Sequence, residues 1–143
     1  MLISTKGRYA LRAMIDLAEH QAEGYIPLKE IAARQEISDK YLESIVKQLV
    51  KAKLVVGIRG KGGGYKLNAD PTSITAYQVL EVAEGSLSPV ENLEGDHPEL
   101  GRVSQYKTLE MWRELDHLIK DYLGSKTISE LCDTTNAADY YVI

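Results

Sequence analysis

Ser38 to Leu67, SDKYLESIVKQLVKAKLVVGIRGKGGGYKL, decides how the rest of the chain is read. Tyr41, Ile45 and Leu49 recur every four residues, as do Leu42, Val46 and Val50, so both rows fall on one broad face of a helix. Ser38 stands at the N-cap position, and Asp39 just inside the positive end of the helix dipole. The opposite face carries Lys40, Glu43, Ser44, Lys47, Gln48 and Lys51. After the helix, Leu54 to Ile58 is short, apolar and β-branched, and Tyr65 to Leu67 is suited to pair back on it. Between them lies Arg-Gly-Lys-Gly-Gly-Gly, a hairpin loop with two cations. A polar helix face followed by a basic glycine hairpin predicts a mainly α fold with a small β-hairpin wing: a winged helix-turn-helix.

The residues before this stretch complete the motif. A first helix is expected from about Lys6 to Gln21, with Ala10, Ala13, Met14, Leu17 and Ala18 as its core stripe. Gly24 and Pro27 frame a turn. Leu28 to Gln35 forms the second helix, and Glu36-Ile37 the turn into the third. In helix-turn-helix geometry the N-terminal part of the second motif helix enters the major groove. Ser38, Lys40, Tyr41, Glu43, Ser44 and Lys47 are therefore the candidate base-reading residues. A carboxylate such as Glu43 is suited to accept a hydrogen bond from cytosine N4. Arg59 suits the narrow, negative minor groove. Thr5, Lys6, Arg8, Lys61 and Tyr65 are candidate phosphate contacts, the first three at a helix N-terminus that favours anions. Ordinary helix capping is the alternative for that cluster. GIRGKGGG is not a phosphate-binding P-loop, because the spacing and the hydroxyl after the lysine are missing.

The net charge of −4 hides an asymmetry. Residues 1–70 hold 12 Lys+Arg against 8 Asp+Glu, a net of +4, while residues 71–143 hold 5 against 13, a net of −8. A basic half with a nucleic-acid face and an acidic half with another task fit this division. No apolar run approaches the ~18 residues that suggest a membrane helix. The N-terminus has no signal-peptide pattern, and a single Cys suits a reducing, cytoplasmic location.

Past the wing, Thr75 and Gln78 form a capping box, and Ile74 with Val79 a hydrophobic staple, for a helix running to Glu84 and stopping at Gly85. Residues 1–85 are thus expected to form the DNA-binding domain. Residues 86–106 read as a long loop. Residues 107–132 hold a long helix, Thr108 to Leu123 with Gly124 as C-cap, and a short one, Ile128 to Cys132, capped by Thr127 and Glu130. Leu109, Trp112, Leu115, Ile119 and Tyr122 form one apolar stripe, widened by Met111, Leu118 and Leu123. This is a candidate homodimer interface, with packing on its own domain as the alternative. Residues 133–143 are a tail. Glu114-x-x-His117 reads as a solvated helix face, and Cys132 as a buried small apolar residue. No catalytic signature is present, so no enzyme is expected, and no metal site.

The chain resembles the Rrf2 family of bacterial transcriptional regulators. The resemblance rests on Ile3-Ser4-Thr5-Lys6-Gly7-Arg8-Tyr9-Ala10, Tyr41-Leu42-Glu43, Ile58 through Tyr65, Glu84-Gly85, Pro89-Val90-Glu91 and Trp112. It implies a winged-helix homodimer on double-stranded promoter DNA, with a long crossed dimerisation helix. One branch of the family carries an iron–sulfur cluster on cysteines of the long loop. Here the corresponding places look like Asn92, Pro98, Ser104 and Lys107, which are not cluster ligands, so no cofactor is expected. Without those cysteines the likeness is to the branch that represses cysteine-metabolism genes and senses through cysteine synthase (O-acetylserine sulfhydrylase). The tail Asp139-Tyr140-Tyr141-Val142-Ile143 looks like the C-terminal peptide by which serine acetyltransferases enter that enzyme's active site. Such a peptide offers a free carboxylate and an apolar last side chain. A disordered or self-packed tail, a different trigger such as a small ligand or a redox change, and an interaction module acting mainly through the tail are the alternatives.

Overall fold

The computed structural model describes residues 2–91, 93 and 103–132. Helix α1, Thr5–Glu19, is followed by a 3-10 turn at Gln21–Glu23, α2 (Leu28–Gln35), α3 (Asp39–Lys51), β1 (Val55–Ile58), β2 (Gly64–Leu67), α4 (Ala76–Glu84), α5 (Val103–Gly124) and α6 (Ile128–Cys132). The strands pair antiparallel, Val55 opposite Leu67 and Ile58 opposite Gly64. The fold is therefore mainly helical with a hairpin wing, as the sequence predicts.

Helix α1 is the spine. It buries Ala10, Ala13, Met14, Leu17 and Ala18 and packs against α2, α3, α4 and α6. Small residues on that stripe let four helices approach one rod closely. Helix α3 adds Leu42, Ile45, Val46 and Leu49 to the same core. Each such side chain contributes about 1.5–3 kcal/mol on full burial. Val50, expected in the buried row, is instead 37% exposed, because the helix ends one residue later and its last turn leaves the core. Tyr41, at the other end of the face, is half-buried.

The caps behave as local chemistry dictates. Ser38 Oγ accepts from Tyr41 N at 3.2 Å. Thr75 Oγ1 accepts from Gln78 N at 3.2 Å, while Gln78 Oε1 accepts from Thr75 N at 2.9 Å, a complete capping box. Thr127 Oγ1 accepts from Glu130 N at 3.1 Å and starts α6.

Several boundaries differ from expectation, among them the second wing strand, which begins at Gly64 rather than Tyr65. The first helix begins at Thr5 and gives way to the 3-10 turn after His20, so Gln21 is outside it. The first wing strand begins at Val55, because Lys53 adopts a left-handed φ of 64° and turns the chain at Leu54. Helix α5 reaches back to Val103, so residues 103–106 of the expected loop are helical, and it includes Gly124. The rest of that loop lies largely outside the described residues, as does the whole tail from 133 to 143.

The wing is tied down from the N-terminal side. Ile26 N donates to Tyr65 O and Tyr65 N to Ile26 O, both at 2.8 Å, making Ile26 a one-residue third strand. Gly64 permits this approach: a Cβ there would stand 2.3 Å from the Ile26 carbonyl oxygen. Beyond it, the loop turns on positive φ at Gly60 and Gly62, 94° and 79°.

Candidate nucleic-acid interface

On α3, Ser38, Lys40, Glu43, Ser44 and Lys47 are all exposed. They leave one side of the helix because its other side fills the core. Lys47 Nζ lies 3.4 Å from Glu43 Oε1, an i,i+4 pair in which both groups are open to solvent. Ser44 Oγ donates back to Tyr41 O at 2.7 Å. On the wing, Arg59 and Lys61 are exposed at the loop. Tyr65 is half-buried, with its backbone bonded to Ile26 and its ring over Gly57, where a Cβ would meet Cε1 at 2.8 Å. The motif helix and wing thus present donors, the carboxylates of Asp39 and Glu43, and cations, with Ile58 of the wing exposed beside them.

The N-terminus of α1 is arranged differently from a vacant anion site. Glu84, at the end of α4, accepts from Ser4 N at 2.9 Å and from Ser4 Oγ at 2.6 Å. Ser4 Oγ in turn accepts from Gly7 N at 3.3 Å. A carboxylate of the chain itself therefore sits at the positive end of α1. Thr5 and Arg8 remain exposed, joined by an Arg8 Nη2 to Thr5 Oγ1 bond of 3.0 Å, and Lys6 is half-buried.

Two features had no sequence signal. Asp16 is buried to 1% exposure and accepts from Arg34 Nε at 3.0 Å and Nη2 at 2.7 Å, and from Gln35 Nε2 at 2.9 Å. The hydrogen bonds to Asp16 hold the Arg34 guanidinium above its ordinary pKa, against the opposing effect of burial. Arg12 lies over the Tyr9 ring, 5.0 Å from its centroid, and Tyr9 meets Tyr41 edge-on. Only the i, i+3, i+7 spacing of Tyr9, Arg12 and Asp16 could have hinted that they share a side.

Away from this surface, α5 packs on α4 and leaves an apolar face uncovered. Met111 is 50% exposed, Leu115 38%, Leu118 65% and Tyr122 63%, while Leu109, Trp112 and Ile119 are half-buried. Asp116, on the covered side, is buried and 3.0 Å from Lys120. Glu114 and His117 are exposed. Cys132 is half-buried rather than fully buried, its Sγ 3.8 Å from Ile15 O, because α6 lies at the margin of the core.

A helix-turn-helix with an exposed polar second helix, backed by a glycine wing with exposed cations, defines a winged-helix DNA-binding regulator. Residues 3–134 match the model of the family described as Rrf2, iron-dependent transcriptional regulator. The chain belongs to the Rrf2 family; it is a helix-turn-helix transcriptional regulator and not an enzyme. It is 42% identical over 136 residues to the HTH-type transcriptional regulator CymR of Bacillus subtilis, covering 95% of this chain and 93% of that one. It is 39% identical over 132 residues to the regulator IscR of Vibrio cholerae, covering 92% and 75%. The solved structure of CymR, the global cysteine regulator of B. subtilis, superposes with a TM-score of 0.77 over 94% of this chain and 98% of that one. Among the described residues no helix is long and apolar enough to cross a membrane.

The family description implies iron, and the donor set here does not fit an iron–sulfur cluster. Clusters are held by several thiolates or by Cys/His mixtures. This chain has a single Cys, and it lies on α6 against α1. Lys107 occupies the exposed side of α5, and Asn92 and Pro98 lie outside the described residues. Among the described residues no three of His, Cys, Asp or Glu come together as a metal site.

Proposed function

We propose that this chain is a homodimeric, cytoplasmic repressor of cysteine and sulfur metabolism genes that binds double-stranded promoter DNA. The observation that carries the proposal is the exposed polar side of α3 beside an exposed basic wing, in a chain 42% identical to a CymR over nearly its whole length. In this reading residues 1–85 form the DNA-binding domain. Ser38, Lys40, Tyr41, Glu43, Ser44 and Lys47 face the major groove. Arg59 enters the minor groove, and Thr5, Lys6, Arg8, Lys61 and Tyr65 hold phosphates. Leu109, Trp112, Leu115, Ile119 and Tyr122 meet their counterparts in a second copy, which the uncovered face of α5 supports. A two-fold protein suits a two-fold operator.

Arg59→Ala is expected to weaken operator binding by about 1–3 kcal/mol. Footprinting and salt-dependent titration on promoters of sulfur genes check it; unchanged affinity removes Arg59 from the interface. No protection of any such promoter overturns the regulatory reading.

The partner in this proposal is cysteine synthase, with Asp139, Tyr140, Tyr141, Val142 and Ile143 as the docking peptide. The support is the tail sequence itself, an acid followed by two tyrosines and two aliphatic side chains. Deleting Tyr140 to Ile143 should abolish capture of the synthase in a pull-down; undiminished capture would end the idea. A small-ligand trigger is the second reading. It is favoured by a cleft of about 470 Å³ between α4, residues 85–91 with Leu93, and α5, lined by Tyr77, Glu81, Leu87, Glu91, Asp116 and Lys120.

A further inference from the structure

Tyr9, Arg12 and Asp16 stand on α1 at i, i+3 and i+7, so they leave the helix on one side. That side faces the last turn of α2. Asp16 accepts from both Arg34 and Gln35 there. Arg12 Nε donates to Gln35 Oε1 at 3.2 Å, and its Nη2 donates to the Gln35 backbone carbonyl. The last carbonyls of a helix are its negative end and lack partners within the helix. A carboxylate thus grips the side chains of this turn, and a guanidinium grips its terminal carbonyl.

The two residues after Gln35 transmit that grip to α3. Glu36 takes a left-handed φ of 55°, with its N bonded to Ala33 O at 3.4 Å and Ile37 N to Ala32 O at 3.0 Å. Ser38 then caps α3. So short a link between α2 and the cap of α3 leaves little slack, and a rotation of the last turn of α2 moves the first turn of α3. The face of Arg12 reaches the same place by a second route. It lies over Tyr9, whose ring meets Tyr41 at 5.8 Å and 74°. Tyr41 is in the first turn of α3. Arg12 is therefore joined to the start of α3 both through the backbone turn and through two tyrosine rings in edge-to-face contact.

We propose that Arg12 is a positioning residue for DNA recognition: bound to Gln35 and stacked on Tyr9, it sets the angle at which α3 meets the major groove. It acts through these partners and does not itself touch DNA. Recognition geometry tolerates errors of roughly 0.5 Å and 10–20°, so a small tilt of α3 costs sequence-specific contacts first. The non-specific attraction depends on phosphate neutralisation and is insensitive to such a tilt. The proposal rests on the reading of α3 as the DNA-reading helix.

The test begins with the wild-type full-length protein selecting its preferred duplex from a random library. Affinity for that duplex and for a scrambled duplex of equal composition is then measured across salt for wild type and Arg12→Gln. Operator affinity should fall by roughly tenfold, the size of one well-oriented base contact. Affinity for the scrambled duplex should stay within about twofold, and the salt slope should not change. A parallel loss on both duplexes with a slope reduced by about 0.9 makes Arg12 a phosphate contact and overturns the proposal. Equal operator affinity overturns it too. If R12Q does not fold, Tyr9→Leu removes the stacked ring while leaving both bonds to Gln35; the same selective loss supports the proposal, and full operator affinity overturns it. Tyr9→Phe, which keeps the ring, should restore wild-type selectivity, and its failure to do so counts against the stacking route. Wild-type protein that enriches no duplex overturns the DNA reading itself, and the proposal with it.

Discussion

Helices α3 and α5 carry apolar stripes of the same kind, and they end in opposite environments. Most of the stripe of α3 is closed off inside its own chain: Leu42, Ile45, Val46 and Leu49 are at most 1% exposed, and Val50 in the last turn is open to 37%. The stripe of α5 is left open at Met111, Leu115, Leu118 and Tyr122. The period of a hydrophobic pattern establishes that a helix has an apolar side. Whether a neighbour within the chain covers that side depends on where the connections carry the helix. Helix α3 is joined to α2 by a short turn and lies across α1, while α5 comes after a long connection and packs chiefly on α4.

The contrast is open to direct attack. Leu42→Ala deletes a fully buried side chain from the shared core, and a loss of about 2–5 kcal/mol in unfolding free energy is expected. Chemical denaturation followed by circular dichroism measures it, and a loss below about 1 kcal/mol would show that the core repacks freely. Leu118→Ala, at an equally apolar position on α5, should change unfolding free energy of the isolated subunit by less than about 0.5 kcal/mol. It should instead raise the dissociation constant of the homodimer proposed above, read by sedimentation over a dilution series. A large intrinsic destabilisation without a change in association would break the comparison. The smallest effect concerns the turn that carries the chain from the wing into α4. Asp70 accepts from Thr72 Oγ1 at 2.6 Å and Thr72 N at 2.8 Å, and these bonds lower its pKa. A carboxyl whose folded pKa lies below its unfolded value of about 3.9 stabilises the fold above that value. The contribution is lost as pH falls through the lower folded pKa. Asp70→Asn should therefore flatten the acid limb of the stability curve slightly, with no difference at neutral pH in the slope.

What could be read from residues alone was mostly what is local. Ser38, Thr75 with Gln78, and Thr127 were legible as caps because the bond spans three residues and needs no other element. The bounds of α2 and α6 came out unchanged; α6 starts on such a cap, while α2 follows Pro27 and has no side-chain cap bond. The exposed side of α3 was legible because its polar residues at helical spacing leave no other face for the core. The pieces that escaped were long-range. Glu84 reaches Ser4 across 80 positions, Ile26 pairs with Tyr65 across the whole helix-turn-helix, and Asp16 finds Arg34 and Gln35 on another helix. No periodicity marks these partners, since each depends on two distant segments arriving at one place.

The sequence by itself determined a helix-turn-helix with a glycine wing, a basic half and an acidic half, and a family resemblance that the matches to Rrf2 regulators bear out. Local hydrogen bonds and apolar period suffice for those, because both act within a few residues. Only the tertiary structure decided that a charged residue of α1 lies in the core, that the chain's own carboxylate caps α1, and which apolar stripe stays uncovered. Those outcomes turn on desolvation and on contacts between segments far apart in the chain, and a buried charge is tolerated only where its partners converge from elsewhere.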